Sequence, residues 1–269
     1  AIVAASENGV KLSMTGSYKL FTTVEIINNI DIDCGLSSNC YLQHYEPTCF
    51  RISPRLPYIS RFLMRGVTVV NRAAVRGRSI TVAEEEAPNT SNFPTNMTFD
   101  DIYTQSNYVG LNIANVRNLT LRNCTSIHTT YPVILSGQVV VCLVDNCDFT
   151  TGSIPSGDVP CGIKVIPSTN YWDAASRRPE NVQIKNSRIY GFSPAIDIDS
   201  VLFGAVRDCD LDNNQGTGIR INVAQAFTLD SNWIAMGDTD GTGVGVELTG
   251  GLPGVQGNQV KITGNEIRT

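Results

Sequence analysis

The sequence predicts an all-β fold: one chain wound into a single-stranded parallel β-helix with coils of about 22 residues. Two recurring phrases carry that prediction. The first is clearest at Val182-Gln183-Ile184-Lys185-Asn186-Ser187-Arg188-Ile189, which is apolar at its start, at +2 and at +7, with a small polar residue at +4. It returns from Phe227 (Leu229, Ser231, Ile234), Val260 (Ile262, Gly264, Ile267), Cys142 (Val144, Asn146, Phe149) and Gly204 (Val206, Asp208, Leu211). Leu119 and Met97 carry its first half. The starts at 97, 119, 142, 182, 204, 227 and 260 are spaced by 22, 23, 40, 22, 23 and 33 residues, one unit with two insertions. Apolar residues two apart within a unit mean strands, not helices.

The second phrase supplies the topology. It reads Gly110-Leu111-Asn112-Ile113, Pro132-Val133-Ile134-Leu135, Gly162-Ile163-Lys164-Val165, Ala195-Ile196-Asp197-Ile198, Gly218-Ile219-Arg220-Ile221 and Gly245-Val246-Glu247-Leu248. Two or three strands in so short a unit leave no room for the crossover helix of a flat parallel sheet. Winding the chain so that each strand pairs with its own copy one coil later satisfies every backbone group.

Composition agrees with a narrow apolar core: 42% of residues are hydrophobic and 17% charged. The net charge of −5 disfavours nucleic acid as a partner. No run of 18 apolar residues predicts a membrane span, and the first residues lack a signal-peptide pattern. Three of the eight cysteines, Cys124, Cys147 and Cys209, share the +5 slot with Ser187, Asn232 and Asn265. A column of small residues reads as selection for size, with reduced thiols as core filler, although coils roughly 4.8 Å apart bring Cys124 and Cys147 within reach of bonding. No zinc spacing or cofactor motif is present.

Along the chain, residues 1–35 read as a lead-in segment and a first coil, and 36–269 as the β-helix. Residues 36–49 read as a loop carrying His44, expected in solvent like His128. The polar stretch 84–96 is an excursion. The largest excursion lies between the coils that start at 142 and 182, and includes Tyr171, Trp172, Asp173 and Arg177, a stacking platform with polar arms suited to a sugar ring. Asp238, Asp240 and Gly241 read as an ordinary turn, because no further calcium ligand follows at the required spacing. The first phrase is still running at Val260–Ile267, which reads as a piece of a longer chain with an uncovered strand edge.

Candidate chemistry sits on the outward side of the second phrase. Asn112, Ile134, Lys164, Asp197, Arg220 and Glu247 form one predicted ladder, with Asp199 two residues beyond Asp197. Residues i and i+2 on a strand are roughly 6.6 Å apart, and positions two coils apart roughly 9.6 Å. Inverting glycosidases separate their acid and base by about 6.5–9.5 Å. Asp197 with Asp199, or Asp197 with Glu247, therefore suits water-mediated hydrolysis, with Lys164 and Arg220 as substrate-binding cations. The competing reading is an alternating-charge ladder that serves solubility alone.

With these phrases and the opening Gly16-Ser17-Tyr18-Lys19-Leu20, the chain resembles the pectate-lyase-like right-handed parallel β-helix superfamily, and within it the bacteriophage tailspike branch. The polygalacturonase motifs are not reproduced: Arg220-Ile221-Asn222 is a distant echo of one, and Gly-His-Gly is missing. The tailspike likeness implies a homotrimer on a virion that cuts a bacterial surface polysaccharide and leaves a lysed host cytoplasm without a signal peptide. A polysaccharide lyase with Lys164 or Arg220 as base, and a non-catalytic receptor-binding spike, are the alternatives.

Overall fold

A computed structural model describes residues 11–52, 59–72, 76–82, 93–152, 158–167, 178–238, 241–250 and 259–268. It shows a right-handed parallel β-helix. A coil is built from three strand segments, as in Arg117–Arg122 (long), Thr125–Ile127 (short) and Tyr131–Ser136 (far). Among the described residues, the far strands form a sheet of nine, ordered as in the sequence, and every pairing is parallel. Long and short layers merge into one sheet of 18, because Phe62–Asn71 and Thr95–Gln105 run through both without a break.

The register is the one the repeat predicts. Ile184 pairs with Val206 and Val206 with Leu229, and all three are buried. Piling like on like lets each apolar column pack continuously, and burying such side chains stabilises by roughly 1.5–3 kcal/mol apiece. The residues at +4 turn the corner between long and short strands. Asp101, Asn123, Asn146, Asn186, Asp208, Ser231 and Gly264 all have φ between 50° and 64°, the left-handed region that Asn, Asp and Gly enter most readily.

The +5 slot does more than fit small residues into the core. Ser187 Oγ accepts from Cys147 N at 3.1 Å, and Asn232 Oδ1 accepts from Cys209 N at 3.1 Å. Asn265 Oδ1 accepts from Asn232 N at 3.0 Å, and Asn232 Nδ2 donates to Val206 O at 3.0 Å. The corner interrupts the strand ladder, and these side chains supply the bonds that the buried amides would otherwise lack. All eight cysteines are free and buried. Glycine opens the far strands for a separate reason. A Cβ at Gly110, Gly162 or Gly218 would sit 2.6 Å from a carbonyl oxygen of the next coil.

The expected loop at 36–49 is corrected. Cys40–His44 and Thr48–Ile52 are strands, paired with Gly16–Leu20 and Val24–Ile26 respectively. The residues Cys40-Tyr41-Leu42-Gln43-His44 alternate buried and half-buried, so His44 is the last inward side chain and not a solvated one. Its Nδ1 lies 2.9 Å from Glu46 O and its Nε2 3.0 Å from Asn107 Oδ1. His128 is exposed, as expected. No described helix is long and apolar enough to cross a membrane.

Candidate functional site

The far-strand sheet carries the expected ladder in unbroken register. Asn112 pairs with Ile134, Ile134 with Lys164, Lys164 with Asp197, Asp197 with Arg220, and Arg220 with Glu247. The ladder also extends to earlier coils through Glu25, Arg51 and Thr81, with Glu25 and Arg51 ion-paired at 3.0 Å. Alternation along each strand keeps Ile163, Val165, Ile196, Ile198, Ile219 and Ile221 in the core and puts the ladder residues on the opposite face of the sheet, where Thr81 and Asp197 are nonetheless buried.

Within the ladder the charges are unequally engaged. Arg220 holds Asp197 by both oxygens, Nε to Oδ1 at 3.0 Å and Nη2 to Oδ2 at 2.7 Å. Asp197 is 7% exposed, the least exposed acid of the ladder. Its hydrogen bonds push the Arg220 guanidinium further into its charged form, against the opposing effect of burial, and the charges of Asp197 and Glu247 add to the push. A carboxylate clasped this way accepts little else and is a poor acid or base for a bound substrate. Asp199 accepts from Asn222 Nδ2 at 2.9 Å, and Glu247 accepts from Thr217 Oγ1 at 3.2 Å. Thr249 Oγ1 continues the network to Asn222 Oδ1 at 3.1 Å.

Lys164 stands apart from the pair beside it. Its Nζ lies over the Tyr131 ring, 5.9 Å from the centroid, a cation–π arrangement. Tyr131 meets Tyr108 edge to face at 5.3 Å, and the Arg76 guanidinium lies 5.0 Å over Tyr108. Arg76 in turn pairs with Asp158 at 2.8 Å. Burial, with the neighbouring Tyr108 hydroxyl adding to it, pushes the Tyr131 phenol up to about 12, so it stays a neutral donor.

Five of the expected site residues, Lys164, Asp197, Asp199, Arg220 and Glu247, thus share one face. Tyr171, Trp172, Asp173 and Arg177 lie outside the described residues. Sequence reasoning missed Tyr108, Tyr131, Arg76 and Asp158. A signal existed for the tyrosines: they are 23 residues apart, one coil, each at the threshold of a far strand. Among the described residues no group of three or more His, Cys, Asp or Glu is placed to hold a metal ion.

The pattern that defines the right-handed β-helix region family matches residues 89–268. The chain belongs to that family. No curated protein matches its sequence. Among solved structures, two of the surface adhesin PfbA from Streptococcus pneumoniae are similar, both at 15% identity. One has a TM-score of 0.52 over 87% of this chain and 57% of the adhesin chain, the other 0.51 over 88% and 62%. The β-helix chain therefore spans about three-fifths of the adhesin chains it matches. The A-module of the mannuronan C-5 epimerase AlgE4 from Azotobacter vinelandii aligns at a TM-score of 0.49 and 13% identity, covering 99% of this chain and 90% of that one.

Proposed function

We propose that the chain binds a polysaccharide along the outward face of its far-strand sheet. The observation that carries this reading is the unbroken ladder of Lys164, Asp197, Arg220 and Glu247 flanked by the Tyr131–Tyr108 pair. A flat, rigid surface that repeats roughly every 4.8 Å offers hydrogen-bond donors, acceptors and ring faces to an extended polymer. Sugar rings present both hydroxyls and an apolar face, which is the combination that such a surface satisfies. The likeness to a surface adhesin is consistent with binding that needs no chemistry.

Incubation of the protein with a panel of bacterial surface polysaccharides, followed by titration calorimetry on any that are retained, tests the reading. Tyr131→Ala and Glu247→Ala proteins are expected to weaken retention while keeping the wild-type melting profile. Retention unchanged in both would overturn it.

Hydrolysis of the bound chain, as by a homotrimeric virion tailspike, is the second reading. What favours it is that Asp199 and Glu247 each have a neutral hydrogen-bond partner, and neither forms an ion pair among the described residues. Product mass after incubation decides it: addition of water marks hydrolysis, an unsaturated end marks elimination, and intact polymer marks binding alone. Under the hydrolysis reading, Asp199→Asn and Glu247→Gln retain the polymer and lose the cleavage.

A further inference from the structure

We infer that Cys34 and Cys40 form an oxidisable dithiol, which hydrogen peroxide joins in a reversible disulfide across the base of an inserted surface turn. This goes beyond the polysaccharide-binding reading and does not depend on it. Cys34 follows the strand Ile30–Asp33, and Cys40 opens the strand Cys40–His44, with the turn at Ser37–Asn39 between them. The next coil makes the same step with adjacent residues. Cys34 N donates to Arg65 O at 2.9 Å, which sets Cys34 level with Gly66, and Cys40 pairs with Val67. A Cβ on Gly66 would lie 2.7 Å from Gly35 O, so the inserted turn rests directly on that backbone. Adjacent Cα atoms are about 3.8 Å apart, so the register holds the two cysteines close to the separation of about 4.4–6.8 Å that a disulfide spans. Their thiols are in hydrogen-bond contact.

The two sulfurs are unlike. Cys40 donates its S–H to the Cys34 sulfur, which lowers the Cys34 thiol and raises that of Cys40. Burial works against the first shift and with the second, and the Met14 amide also donates to Cys34. The thiolate is the reactive form, so Cys34 attacks and Cys40 resolves. Cys34 Sγ bonds to one peroxide oxygen, the O–O bond breaks, and the departing hydroxide takes the Cys34 proton and leaves as water. Cys40 Sγ then attacks the sulfenic sulfur of Cys34. The S–O bond breaks, and the hydroxide leaves as water with the Cys40 proton. Two thiols and one peroxide thus give one disulfide and two waters. An oxidant hardly larger than water suits the site, because Cys34 is 5% exposed and Cys40 fully buried. Cys124 and Cys147 also touch, one coil apart, but the chain turns their corners without an insertion. Cys34 instead borders a surface turn whose Leu36 is 65% exposed.

The test treats the full chain with hydrogen peroxide under native conditions, alkylates the remaining thiols in denaturant and maps the peptides by mass. Trypsin with chymotrypsin, cutting after Leu36, Tyr41 and Tyr45, places Cys34, Cys40 and Cys49 on separate peptides. The expected result is a Cys34–Cys40 link, about tenfold or more above any Cys124–Cys147 link and undone by dithiothreitol. In the Cys40→Ser protein, dimedone is expected to trap a sulfenic acid at Cys34. In the Cys34→Ser protein, neither a link nor an adduct at Cys40 is expected. Recovery of Cys34 and Cys40 as alkylated thiols in the wild-type map overturns the inference, whether or not the variants fold. A link from Cys40 to Cys49, or one that forms equally between Cys124 and Cys147, overturns it as well.

Discussion

Arg220 and Asp197 stand one coil apart on the far-strand sheet and share two parallel hydrogen bonds, 3.0 and 2.7 Å long, at a carboxylate almost closed to solvent. Removing the acid leaves a guanidinium whose partner is gone, and fully buried pairs broken in this way cost about 3–5 kcal/mol. Arg220 keeps 42% of its side chain exposed, so water recovers part of that loss. Asp197→Ala is expected to cost about 2 kcal/mol, read from urea denaturation midpoints. If Asp197 were instead the catalytic carboxylate, its removal would follow the stability–function trade-off, leaving the midpoint unchanged or raised.

Asp33 makes the earliest coils sensitive to acid. Lys11 lies 2.9 Å from it, Gly35 N donates to it at 3.0 Å, and Arg65 clasps it at 3.0 and 2.8 Å. These contacts, led by Lys11, lower its carboxyl from 3.8 to about 2. Because the folded value is depressed, its stabilisation is complete above the unfolded value and disappears as pH falls through the folded one. The loss therefore falls between about pH 4 and pH 2. Lys11 and Arg65 are solvent-facing, which reduces the effect to about 1 kcal/mol. Asp33→Asn is expected to flatten the midpoint against pH within that window and to leave it unchanged below.

Asn232 holds the corner column from inside. It accepts from Cys209 N and donates to Val206 O and to Asn265 Oδ1, at 3.1, 3.0 and 2.8 Å. Asn232→Ala strands a buried amide and a carbonyl and is expected to cost about 2–3 kcal/mol. Asn232→Ser is expected to recover part of that, because Ser187 fills the same slot two coils earlier. Equal midpoints for the alanine and serine proteins would show that size alone matters there.

Val141 occupies a backbone position that suits it poorly. It lies at φ 58° in a column where Asn96, Asn118 and Asn181 take the same conformation at 53°, 57° and 52°. A β-branched side chain in this region is strained by about 1 kcal/mol or more relative to asparagine. The residue is 45% exposed, so little packing is lost on replacement. Val141→Asn is expected to raise stability by about 1 kcal/mol, measured by chemical denaturation. A destabilised Asn protein would show that the exposed valine makes contacts worth more than its strain.

The parts of this protein that were legible beforehand are those fixed by two periods acting together. A two-residue alternation chooses the face and the recurring phrase chooses the neighbour across offsets of 22, 30, 33, 23 and 27 residues, so the ladder from Asn112 to Glu247 could be written down in register. The same rules could not say which cation Asp197 would take. Lys164 and Arg220 are equivalent neighbours in the pattern, and the choice falls to the planar fork of arginine, which matches both carboxylate oxygens. Tyr108 and Tyr131 were passed over because they stand where the chain enters the far strands, Tyr108 at the bend before one and Tyr131 as the first residue of the next, and strand alternation does not predict direction at that junction. His44 was misplaced because a three-residue turn at Ser37–Asn39 returns the chain to strand sooner than its polar composition suggests.

The sequence by itself determined the winding of the chain, because each apolar column can be buried only by its own copy one coil away. It also determined the corners, where only small polar residues and glycine accept the left-handed turn. The tertiary structure alone decided which charges cancel and which stay open. Ion pairing depends on side-chain reach and desolvation across coils, and residue spacing along the chain encodes neither. That is why Asp197, drawn from sequence as a candidate acid, is held by Arg220 at both oxygens, and why Lys164 beside it forms no ion pair among the described residues.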